Sequence, residues 1–217
     1  KNLSNLIKWF VDEFQNDDVG LVLKTNVMKN SHVDMLASER TIKQILNKLP
    51  KDRKCKIYLL HGDMTDNEMH SLYMNEKIHA FVSIPHGEGF GLPLFESAYS
   101  GLPVVTVGWS GQCDYLFDEC GKEKFYNVAF DLNQIQEDAV WDGVLQKDSM
   151  WAFARESSTK EQMRRCLNDI IAGNNNFCDY AQELQERFSE EKMYQLFVDS
   201  ILSACQNNQQ SSKVVVL

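Results

Sequence analysis

Ser83-Ile84-Pro85-His86-Gly87-Glu88-Gly89-Phe90-Gly91-Leu92-Pro93-Leu94-Phe95-Glu96 is the stretch that decides how this sequence folds. Ile78 to Ile84 reads as an apolar strand and Pro93 to Ser100 as a helix, so the stretch is a strand–loop–helix unit. That is where a doubly wound sheet presents its ligand. Gly87, Gly89 and Gly91, at alternate positions, let the backbone approach a ligand closely and take up positive φ. Pro93 suits the first helical turn, where its missing N–H costs nothing. The amides just before it are placed to meet an anion or sugar hydroxyls, with the helix dipole behind them. Glu88 on the loop and Glu96 about one turn into the helix put two carboxylates at one mouth. Spacing alone leaves it equally open that both are ordinary solvated acids.

Two other glycine-rich chemistries fail on the residues. A G-x-G-x-x-G fingerprint needs a glycine where Leu92 or Leu94 stands, and it belongs on the first strand of its unit. A phosphate loop of the Gly-Lys-Ser/Thr type has no such tripeptide here.

Outward from this stretch the pattern repeats. Leu3, Leu6, Ile7, Phe10, Val11 and Phe14 carry helical spacing, predicting a helix over 2–16. A strand is expected at 19–24, a helix at 35–49 closed by Pro50, and a second strand at 56–61. Thr65 and Glu68 form a capping-box pair that opens a helix to about Asn75. Strands at 78–84 and 103–107 follow. Alternating strands and helices predict one parallel sheet covered on both faces. Beyond about Gln134 no further long strand is expected, and 151–172 and 178–205 read as helices. Residues 1–205 read as one domain, and 206–217 as a disordered tail. The chain opens in a helix with no strand before it, so the first strand of the domain is expected upstream of this sequence.

The 217 residues carry a formal net charge of -9, with 31 acids against 22 bases. Gripping a nucleic-acid backbone needs the opposite balance, so no nucleic-acid partner is expected. No apolar run suffices for a transmembrane segment, and the N-terminus has no signal-peptide pattern. Six cysteines without C-x-x-C pairs, and five scattered histidines, predict free thiols, no metal and a cytoplasmic protein.

Glu88-Gly-Phe-Gly-Leu-Pro-Leu-Phe-Glu96 resembles the E-x7-E signature of retaining GT-B-fold glycosyltransferases. Ala98 to Val105 is similar to that family's A-x-x-G-x-P-V continuation, and Gly108 to Leu116 to its next loop and helix. Leu60-His61-Gly62 and the helix after it resemble the segment that contacts the base. Lys1-Asn2-Leu3 resembles the family's R-K-N start, and Trp151 and the Glu161-Gln162-Met163 helix are similar further on. The resemblance runs over roughly 1–205. It implies a Rossmann-like doubly wound domain, the C-terminal, donor-binding half of a GT-B fold without its N-terminal acceptor domain.

The resemblance also implies roles. Glu88 would accept hydrogen bonds from hydroxyls of the donor sugar, and the amides of Gly89, Phe90, Gly91 and Leu92 would contact the sugar and distal phosphate. Glu96 would bind the ribose hydroxyls. Lys1 would match the diphosphate-binding lysine, or is simply a frayed terminus; the family's partner arginine is absent. Met64 and Thr65 would offer backbone to the base, or serve only the loop. The implied partners are a nucleoside-diphosphate sugar and an unknown acceptor, with no cofactor and no metal. The parent enzyme would transfer a sugar with retention, this part alone transferring little. A non-catalytic nucleotide-sugar-binding or assembly module of the same fold is the alternative.

Overall fold

The structure is a computed structural model, and it describes residues 2–174 and 177–211, with side chains to Ala204. Its elements in chain order are α1 (Leu3–Phe14), β1 (Gly20–Lys24), α2 (His32–Leu46), β2 (Lys56–Leu60), α3 (Asp66–Tyr73), β3 (Phe81–Val82), α4 (Leu92–Tyr99) and β4 (Val104–Val107). They continue with α5 (Cys113–Leu116), β5 (Tyr126–Val128), β6 (Phe130–Gln134), β7 (Met150–Ala154), α6 (Glu156–Ile171), α7 (Phe177–Arg187) and α8 (Glu190–Ser211). The chain is therefore mixed α/β, with parallel pairing where parallel pairing was expected.

One continuous sheet is not what the strands make. β1 and β2 pair in parallel with Gly20 opposite Lys56, and β3, β4 and β5 form a second parallel set. No ladder joins β1 to β3. The two sets instead share a core under α1, whose Leu6, Trp9, Phe10, Val11 and Phe14 pack with Val105, Val107, Tyr126 and Val128 and with Leu21 and Ile57. Each large side chain buried in this way contributes about 1.5–3 kcal/mol. α1 does the joining that hydrogen bonds do not.

The strand expected over 78–84 shrinks to Phe81–Val82 for local reasons. The Ile78 amide is taken by Asn75 O at 2.9 Å in the turn that closes α3, and Pro85 has no N–H for a ladder. β4 has all four residues buried, as a central strand should.

A correction concerns 130–154. β6 and β7 pair antiparallel, Leu132 opposite Ala152, so residues 151–154 are strand and not the start of a helix. The helix begins at Glu156, after Arg155 has donated its amide to Ala129 O at 2.8 Å and clasped Asp131 with its guanidinium. A second correction concerns 178–205. The helix breaks between α7 and α8, where the Phe188 ring turns in against Phe90 and Phe95 in the second core cluster. α8 runs on to Ser211, into the expected tail, and 212–217 lie outside the described residues. Among the described residues no helix is long and apolar enough to cross a membrane. Cys55, Cys113, Cys120, Cys166 and Cys178 are unpaired thiols.

α6 lies against α1 through Arg164, which meets Glu13 at 2.7 Å and Asp17 at 2.9 Å and covers the Phe14 ring at 4.5 Å. Its hydrogen bonds hold the Asp17 carboxyl below the usual carboxylate range. A depressed folded value adds stability above the unfolded one, near 3.8, and loses it as pH falls through the folded value. Arg164→Met, which keeps the stem over Phe14, should cost about 1 kcal/mol or less at neutral pH, because the cluster is part exposed. Urea unfolding should show that difference shrinking in acid. A difference constant with pH would mean that the Arg164–Asp17 ion pair is not its source.

Candidate functional site

The glycine loop leaves β3 at Ser83 and enters α4 at Gly91, which adopts φ +85° as the helix N-cap. A side chain there would be strained, and its Cβ would meet the Tyr115 hydroxyl at 2.9 Å. Gly91 O receives the amides of Leu94 and Phe95 at 2.9 and 3.0 Å, closing the first turn. Among the described residues the amides of Gly89, Phe90, Gly91 and Leu92 find no protein acceptor. They are the free donors that begin a helix, on a segment whose Gly89 and Leu92 are exposed.

The loop is held from beneath and from one side. Tyr115, fully buried, aims its hydroxyl at Phe90 O (2.8 Å) and Gly91 O (2.9 Å), one proton serving two carbonyls. Burial, with the Glu88 charge nearby, pushes its phenol well above the ordinary range, so the proton stays on. Phe90 turns its ring into a cluster with Phe95, Tyr115 and Phe188, leaving its backbone as what it can offer a ligand. From the side comes the β4–α5 turn. Gly111 N–H and Ser110 Oγ donate to Glu88 O at 3.0 and 2.8 Å. Ser110 takes φ +73°, an unusual conformation for a non-glycine and common where backbone is shaped for a site.

Glu96 is half-buried on α4 and accepts a hydrogen bond from the Tyr73 hydroxyl of α3 at 3.2 Å. Burial, and then the Glu96 charge, push the Tyr73 phenol far up. Tyr73 therefore acts as a fixed donor that orients the carboxylate and leaves Oε1 for another partner. Thr65 caps α3 by the anticipated capping box, its Oγ1 accepting from Glu68 N at 3.3 Å and its N–H donating to Glu68 Oε2 at 2.7 Å. Thr65 is exposed and Met64 half-buried at that end of α3, whereas Tyr73 and Glu96 meet at its other end. The eight residues between them span about 12 Å of helix. Lys1 lies outside the described residues.

Sequence reasoning gave four contributors no role of their own. Tyr73 and Tyr115 are two. Asp34 and His61 are the others, meeting at 3.0 Å beyond the C-terminal ends of β1 and β2 with both side chains buried. The Asp34 carboxylate also accepts from Met28 N at 2.9 Å and Val27 N at 3.3 Å. Burial pushes that carboxyl up, but the bonds from His61, Met28 and Val27 outweigh it and hold it below the usual range. The pair thus fixes the β1–α2 loop to the start of the β2–α3 loop, where Lys24 Nζ also reaches Gly62 O at 2.5 Å.

The end of β3 and the start of α4 therefore carry the loop amides and Glu88, with Glu96 about one turn further along α4. The shallow depressions beside α2 (Leu36, Glu39, Arg40) and α7 (Gln182, Gln185) contain no residue of the glycine loop. Among the described residues no group of three His, Cys, Asp or Glu is placed to hold a metal ion. No family model matches the chain, and no curated protein matches it.

Proposed function

We propose that this chain is the nucleotide-sugar-binding domain of a retaining, GT-B-type glycosyltransferase. One observation carries the reading: beyond parallel strand β3, the glycine-loop amides without a protein acceptor and the N-terminus of α4 lie between Glu88 and Glu96. Free amides with a helix dipole behind them suit a phosphate. Glu96, oriented by Tyr73, suits a ribose diol, because a carboxylate can accept two O–H bonds. Glu88, whose backbone is fixed by Ser110 and Gly111, suits hydroxyls of the donor sugar. Met64 and Thr65 would offer backbone to the base, and Lys1 would offset charge on the departing diphosphate. In the reaction the bond from the anomeric carbon to the diphosphate breaks. An acceptor oxygen then bonds to the same face of the sugar and loses its proton.

Calorimetric titration with UDP, GDP and ADP and with their sugars tests this. At least one base should bind, with the sugar-bearing form distinguishable from the plain diphosphate. No heat and no thermal shift with any of them would overturn the assignment. EDTA should leave the affinity unchanged within error, since side-chain and backbone donors carry the phosphate charge. A marked loss on chelation would point to ion-dependent binding and a different chemistry.

A further inference from the structure

His86 stands two residues before Glu88, and the β6–β7 hairpin grips it from three consecutive positions. The Ala152 amide donates to His86 O at 3.0 Å. The ring nitrogen Nδ1 lies 2.8 Å from Ala152 O, and a carbonyl only accepts, so Nδ1 carries the proton. The ring stacks on Trp151 at 5.2 Å and 3° between planes, and it packs against Phe153 at 4.6 Å. Ala152 is fully buried and sits in register opposite Leu132, so the grip is backed by a paired strand.

Downstream of His86 the same short segment is caught again, at Glu88 O, by Ser110 and Gly111. Gly87 lies between the two anchors and has no side chain to fix it, so its neighbours must. A loop anchored only at Glu88 could pivot about Gly87; anchored at both ends, it presents Glu88 in one place. We propose that His86 is a positioning residue, and that the β6–β7 hairpin acts through it as a clamp that sets where Glu88 meets the donor sugar. This rests on the nucleotide-sugar reading for its ligand, but the clamp itself is a property of the loop. The chemistry it serves is the sugar end of the donor, because the other anchored glutamate, Glu96, is oriented by Tyr73 from α3 and owes nothing to the hairpin.

Two variants separate the ring from its proton. His86→Phe keeps an aromatic ring between Trp151 and Phe153 and removes the Nδ1 donor. His86→Asn loses the ring but places a side-chain amide near the position of Nδ1. Hydrogen exchange at the Ala152 and Gly111 amides, which donate to His86 O and Glu88 O, read on the protein without ligand, should quicken in His86→Phe by roughly three- to tenfold, the weight of one neutral hydrogen bond, and return toward the original rate in His86→Asn. Nucleotide-sugar affinity should fall in His86→Phe by a similar factor while plain diphosphate affinity holds. Unchanged exchange in a folded His86→Phe overturns the clamp. So does an equal loss for sugar-bearing and plain ligands, which would mark His86 as a merely structural contact. Should the unaltered protein bind no nucleotide sugar, the functional assignment fails by itself, and the clamp is then decided by exchange alone.

Discussion

Gly111→Ala is expected to unseat the glycine loop, whereas Gly89→Ala should leave the fold intact and weaken ligand binding. At Gly111 a Cβ would lie 1.8 Å from Gly89 O, 2.6 Å from its carbonyl carbon and 3.0 Å from Glu88 O. All three are backbone atoms, and backbone cannot swing aside as a side chain can. The β4–α5 turn must back off, which breaks the bonds that Gly111 and Ser110 donate to Glu88 O. Overpacking and two lost hydrogen bonds together should cost about 3–5 kcal/mol in urea unfolding. Gly89 is the opposite case. Nothing lies within 4 Å of a Cβ built there, and its φ is not in the left-handed region. Stability should change by less than about 0.5 kcal/mol. If a phosphate or sugar approaches the Gly89 backbone, however, the added methyl occupies its space, and affinity should drop by roughly tenfold or more, about 1.4 kcal/mol. Full affinity in Gly89→Ala would show that no ligand comes close there. Unchanged stability in Gly111→Ala would show that the two loops do not touch so tightly.

How much of this was legible in the sequence depends on the range over which each feature is determined. The α1 stripe, the Thr65–Glu68 cap and the glycine loop entering α4 are set by residues within two turns of one another, and local spacing predicts them. β7 is different. Trp151-Ala152-Phe153-Ala154 is a short apolar run that joins a helical period directly, and such runs read equally well as strand or helix. What makes it a strand is β6, whose Phe130–Gln134 lies across an intervening connection and shows a mostly exposed face. The break at Phe188 has the same origin, since the ring leaves the helix to pack with Phe90 and Phe95. At the site the sequence displays the two glutamates but not what holds them. Tyr73 is 23 residues from Glu96, and Tyr115 is 24 from Gly91. A tyrosine on a helix with apolar neighbours reads as core, and in burial both are core. Only the folded chain shows where the hydroxyls end.

Glu96→Ala should weaken both a plain nucleoside diphosphate and its sugar, while Glu88→Ala should spare the first and weaken the second. Ribose is common to the two ligands and the sugar is not, so the pattern follows from which carboxylate meets which diol. Losing a hydrogen bond to a charged group costs about 1.5–3 kcal/mol, or roughly ten- to a hundredfold in affinity. The structure adds a control that the spacing of the two acids does not supply. Tyr73 donates to Glu96 Oε2 and is itself buried, so Tyr73→Phe removes the orienting bond but keeps the carboxylate. It should reduce affinity for both ligands in equal proportion and by less than Glu96→Ala, since a freely rotating carboxylate still accepts. Glu96→Gln, which keeps an acceptor and loses the charge, should fall between them. Each variant is checked first by thermal unfolding, because Glu96→Ala strands the Tyr73 hydroxyl. Calorimetry with both ligands on each folded variant then gives the affinities to compare. If the two glutamate variants lose affinity for the two ligands in the same proportion, the division of roles between them is wrong. If neither loses any, Glu88 and Glu96 are surface acids, and the donor site lies on another part of the molecule.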